Sequence, residues 1–200
     1  MQRKTLEKAA ANYSYLRGLL AIPLGVLLIL AALANWEVGP LRHIWVFPVA
    51  VAMAGAGWLA ITRYYNENYG RLSPSTKQQV RSALAVVIAL AVMGGGSLLM
   101  RSDAAWSLDL PVNAIAVSFA LIMLISYAIG VGLKAHHVII WGAVLVAGAL
   151  PVWSSPDPSN IGLLLAGVAV MVSGVFDHRL FVHTFGAPKT LDLEESDVGA

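Results

Sequence analysis

The chain has 200 residues, 58% of them hydrophobic and only 12% charged, with 13 Lys and Arg against 11 Asp and Glu and no cysteine. A soluble domain is about 45–50% apolar and about 25% charged, so this composition excludes an ordinary soluble enzyme, and it is far too apolar for a disordered chain. The absence of cysteine removes a disulfide-stapled secreted domain, thiol catalysis and acyl or prenyl anchors.

The apolar residues, at a mean hydropathy of +0.72, gather in blocks long enough to cross a hydrocarbon core, which takes roughly 20 residues of helix. Residues 1–17 come first, with Leu6, Ala9, Ala10, Tyr13 and Arg17 at helical spacing, and read as a cytoplasmic interfacial segment. Six blocks follow, at 18–36, 44–62, 82–100, 111–132, 136–153 and 160–177. Backbone amides in lipid must be satisfied within the segment, so blocks of this length predict helices rather than barrel strands. The expected fold class is therefore all-α: a polytopic integral membrane protein, a six-helix transmembrane bundle with short loops, its membrane domain covering 18–183. Residues 184–200 are acidic and lack an apolar face, and are expected to form a disordered cytoplasmic tail. Ala32-Leu33-Ala34 has the form of a signal-peptidase site, but the charged region before it is long for a signal peptide, so the block is expected to remain as a span.

Charge sets the orientation. With both termini on one side, that side holds every Lys and Arg except Arg42 and Arg101. Lys and Arg are retained on the cytoplasmic side, which predicts both termini inside and a plasma membrane location, most simply a bacterial inner membrane. Trp36, Trp45, Trp106 and Trp153 fall at the predicted outer boundary, and Tyr13, Tyr15, Tyr64, Tyr65 and Tyr69 at or near the inner one.

No Asp, Glu, Lys, Arg or His falls near the middle of a predicted span, which counts against a proton pump or a cation channel. Asn113, Ser118, Ser126, Tyr127 and Ser173 fit helix–helix hydrogen bonds. Small residues four apart, such as Ala50 and Ala54, Ala52 and Ala56, and Ala169 and Ser173, suit close helix packing or a face for a second subunit. Pro23, Pro48 and Pro151 each remove a backbone donor, and kinks at them would suit a cavity in a transporter. Arg63, Tyr65, Tyr69 and Gly70 can be laid over Arg179, Phe181, Phe185 and Gly186, a match that shared membrane-edge chemistry explains.

Two candidate sites lie on the predicted inner rim. Arg63, Tyr65, Tyr69 and Arg71 form a basic and aromatic exit from the second helix, readable as headgroup anchors or as a docking face for a partner. His136 and His137 open the fifth helix, while Asp177, His178 and His183 close the sixth. Imidazoles with a carboxylate suit zinc, iron or copper. His178 and His183 are five apart and no HxxxH or HExxH pair exists, so interfacial anchoring explains these residues more simply than a metal. Thus no cofactor is expected.

The function expected from these features is that of a non-catalytic accessory or regulatory membrane subunit, acting through helix packing and the inner rim. An oligomeric transporter of a small or apolar solute is the first alternative and a metal-dependent intramembrane enzyme the second. Expected partners are the lipid bilayer, a membrane or cytoplasmic protein, or further copies of the chain. The basic residues are too few and too close to lipid for nucleic-acid binding.

Overall fold

The computed structural model describes residue 13 and residues 16–43, 45–70, 76–106, 112–130, 132–150 and 158–186. Among them there are six α-helices and no strand: α1 (Ile22–Asn35), α2 (Val46–Tyr69), α3 (Thr76–Trp106), α4 (Ala114–Gly130), α5 (Ala135–Ala149) and α6 (Pro158–Phe185). A 3-10 turn at Gly18–Ala21 leads directly into α1, and another at Gly39–Arg42 lies between α1 and α2.

Three segments are long and apolar enough to cross a membrane: Gly18–Asn35, Val46–Tyr69 and Ser159–Phe185. The remaining expected spans are corrected in length. The fourth and fifth, expected over 111–132 and 136–153, contain helices of 17 and 15 residues. At 1.5 Å per residue these fall short of the roughly 30 Å hydrocarbon core. In α3 the described apolar stretch is Gln79–Val92.

Local chemistry explains these boundaries. Asn113 accepts the Ala116 amide on Oδ1 at 3.1 Å, an N-cap bond that starts α4 after it. Gly132, at φ +85°, turns the chain out of α4, and its amide returns to Tyr127 O at 2.9 Å. Leu150 precedes Pro151 and is forced extended, at φ −67° and ψ 137°, which stops α5. In the other direction, α2 and α6 run past their expected ends at 62 and 177, to Tyr69 and Phe185. The segments expected at 1–17 and 184–200 lie mostly outside the described residues.

Of the prolines, Pro23 sits differently from expectation, while Pro48 lies early in its helix as expected. Pro23 falls in the first turn of α1 and Pro48 is the third residue of α2. A proline in a first turn removes an amide with no intrahelical partner, so neither position requires a kink. Pro151 lies outside the described residues.

Helix α1 packs antiparallel along α6, and glycine permits the approach. A Cβ at Gly25 would lie 2.7 Å from Gly167 O, and one at Gly174 would lie 2.6 Å from Gly18 O. Asn35 Nδ2 donates to Asn160 Oδ1 at 2.8 Å at the far end of the pair. Helices α4 and α5 form a second antiparallel pair, held at the same end by Asn113 N–H on Gly148 O at 2.8 Å. Both pairs meet in a core of Ala116, Ala120, Trp141, Val144, Ala169 and Val170. Within it Trp141 Nε1 donates to Ser173 Oγ at 3.1 Å. Helix α2 lies against α1 on one flank, and α3 against α4.

The bundle consequently has two polar ends. One gathers Asn35, Asn113 and Asn160; the other gathers Tyr13, Arg17, Tyr65, Tyr127, His136, His137, Asp177 and His178.

Candidate functional site

Asp177 is the centre of the second end. It sits near the C-terminus of α6 at 2% exposure, across from the first turn of α5. His137 Nε2 lies 2.8 Å and His136 Nε2 3.0 Å from its Oδ1. The Tyr127 hydroxyl, from the last turn of α4, donates to Oδ2 at 2.8 Å. One buried carboxylate thus receives three donors from two other helices.

Aromatic surfaces hold the two imidazoles in place. His137 is fully enclosed, and its ring stacks on Tyr127 with centroids 3.6 Å apart and planes 18° apart. His136 stacks on Phe176 at 5.7 Å, and its side chain keeps 20% of its surface open. The Lys134 amide approaches His137 Nδ1 at 3.4 Å. His136, His137 and Asp177 each offer one ligand atom, and those atoms all fall within 4.8 Å of one another.

The other two histidines of the expected metal group do not join them. His178, next to Asp177, points about a quarter-turn further around α6, where its Nδ1 meets the Tyr65 hydroxyl at 2.8 Å. His183 is exposed. Tyr127, which sequence reasoning treated only as a helix–helix polar contact, belongs to the site. Its signal was its place one turn before a short loop leading into the histidine pair.

At the basic and aromatic exit of α2 the two tyrosines turn toward the bundle. Tyr65 is fully buried and Tyr69 turns its hydroxyl inward. Both pack on Phe181, at centroid distances of 5.1 and 4.7 Å, and Tyr13 packs on Phe181 and Phe185. The matching sequence at the ends of α2 and α6 is therefore a meeting of two like helix ends, each closed by a glycine at positive φ, Gly70 at +81° and Gly186 at +90°. Tyr13 completes the junction by donating to Gly70 O at 2.7 Å. Burial raises the pKa of that hydroxyl, against the opposing pull of the Arg17 guanidinium, and so keeps it a donor. Arg17 lies over the Tyr65 ring at 4.8 Å and donates to Thr62 O at 3.1 Å. Arg63 is exposed and paired with Glu67 one turn along, and Arg71 lies outside the described residues.

Tyr65 is a structural strut by this geometry. Its oxygen accepts the Leu19 amide at 3.3 Å, leaving its proton for His178 Nδ1. Tyr65→Phe is expected to cost about 1–3 kcal/mol, because it leaves the Leu19 donor unmet. Equilibrium unfolding in detergent checks this, and an unchanged midpoint contradicts it.

No protein-family model matches the chain, and no characterised protein or solved structure is significantly similar to it. The class defined so far is that of an all-helical protein with three helices able to cross a membrane.

Proposed function

We propose that the protein is a six-span membrane subunit that associates with another transmembrane helix through the outward faces of α2 and α3, without catalysing a reaction. The six-span reading draws support from the antiparallel course of the packed helices between the same two polar ends. Helices α4 and α5 are short for a span, but the extended residues Lys134 and Leu150 that flank α5 add length to it, and polar ends marked by Asn113 and by Tyr127 with His137 are compatible with two boundaries. The concentration of Lys and Arg on the side of the Asp177 end supports a cytoplasmic position for that end.

One observation carries the association. Inside the bundle, glycines lie in backbone contact with a partner helix, as at Gly25 and Gly167. On α2 the row Ala52, Gly55, Ala56 and Leu59 occupies one exposed face, and a Cβ at Gly55 would meet nothing within 4 Å. Gly94 and Gly95 on α3 are equally open. Lipid chains gain nothing from small residues, whereas a second helix gains closeness of approach.

The reading gives no role to a polar path through the bundle. Core residues at mid-height are small or apolar, with Ser173 already bonded to Trp141. The inner aromatic rim is committed to internal packing, so the partner surface is lateral.

A photo-crosslinking side chain in place of Ala56 tests this in intact membranes. A single discrete protein adduct is expected there and none from the same group at Val175, on an exposed flank of α6. A mass of two chains identifies a second copy, and another fixed mass a distinct subunit. Lipid adducts alone at Ala56 contradict the proposal.

A further inference from the structure

We infer that His136, His137 and Asp177 form a binding site for one divalent first-row transition ion, zinc fitting best. This does not depend on the proposed role as a subunit. The donor set is two imidazole nitrogens and one carboxylate oxygen, the mixture that suits zinc and its neighbours rather than magnesium or calcium.

The spacing is close to what an ion imposes. Tetrahedral bonds of roughly 2.0–2.1 Å hold their ligand atoms roughly 3.3 Å apart. Here Oδ1 of Asp177 stands 2.8 and 3.0 Å from the two Nε2 atoms. Insertion of an ion therefore needs Oδ1 to draw back from each imidazole by a few tenths of an ångström, with the three ligand atoms already within 4.8 Å of one another. Three protein ligands leave a fourth position for water, and the open edge of His136 supplies the approach.

The surroundings are those of a prepared site. Tyr127 occupies Oδ2, leaving Oδ1 to the ion, and an outer hydrogen bond of this kind orients ligating carboxylates. Stacking on Tyr127 and Phe176 fixes both rings before any ion arrives. A bound ion on His137 Nε2 moves the ring proton to Nδ1, facing the Lys134 amide. That contact, at 3.4 Å, is longer than the usual 2.7–3.2 Å, so little is lost when it opens.

The test uses the full chain in detergent, stripped with chelator, then incubated with zinc or cobalt alone and desalted. One ion per chain is expected by elemental mass spectrometry, with a tetrahedral cobalt spectrum of nitrogen and oxygen ligation. His136→Gln and Asp177→Asn should each weaken binding by more than the roughly 10–100-fold that loss of an outer partner costs, and Tyr127→Phe should fall within that range. His136 is partly exposed, so His136→Gln decides the matter if Asp177→Asn does not fold. A wild-type chain that takes up no stoichiometric ion overturns the inference, and so does unchanged binding by folded His136→Gln.

Discussion

Asp177→Ala is expected to destabilise the metal-free bundle by about 3–5 kcal/mol, the largest loss from any single polar truncation. Three donors converge on this carboxylate from α4 and α5. A buried donor left without an acceptor costs about 1–3 kcal/mol. His137 is fully enclosed and bears that cost entirely; Tyr127 is half-buried, and His136 can turn to water. Relief of the buried negative charge offsets part of the loss. Asp177→Asn keeps an acceptor for the histidines and lets the Tyr127 hydroxyl rotate to accept, so its cost should be nearer 1 kcal/mol. Equilibrium unfolding in chelator-treated detergent measures both. Equal midpoints for the two variants would mean that the convergence on Asp177 holds nothing together.

Gly174→Ala and Gly142→Ala are expected to move stability in opposite directions. At Gly174 the new methyl would lie 2.6 Å from Gly18 O and 3.2 Å from Ala21 Cβ. The first of these is backbone, which yields only if α1 moves off α6. Overpacking of this kind costs typically about 1–3 kcal/mol. At Gly142, inside α5, a Cβ meets nothing within 4 Å, and a helical glycine replaced by alanine gains about 0.5–1 kcal/mol. Thermal midpoints of the two variants read the contrast directly. Two variants shifting together would show that α1 and α6 are not in backbone contact.

The helical class and the approximate position of every element were legible in the sequence, because apolar block length is dictated by the need to satisfy backbone amides. Asp177 was legible beside His136 and His137 for a simple reason: a short loop makes α5 and α6 ends neighbours. What a single helix end does at neighbouring positions was not legible. His178 is one residue from Asp177, yet the helical rotation sends it to Tyr65 instead. Tyr65 and Tyr69 looked like an outward rim because aromatic residues at a membrane edge face lipid or protein with the same spacing. Packing against Phe181 of α6 and against Tyr13, ahead of α1, turns them inward.

The glycine contact was missed for a different reason. Attention to small residues four apart picks out Ala52 and Ala56, which face outward. The contact that closes α1 on α6 repeats at seven, Gly18 with Gly25 and Gly167 with Gly174, two helical turns on one face. Element ends shifted where side chains intervened, as with the Asn113 cap, which no hydropathy pattern carries.

Native mass spectrometry of the protein released gently from its own membrane tests the central claim, that this is a membrane subunit with a lateral helical partner. A complex of fixed stoichiometry is expected, with a second polypeptide or a second copy, that dissociates when Gly55→Leu blocks the open face of α2. A bare single chain for the wild type, or a complex that Gly55→Leu leaves intact, would contradict it.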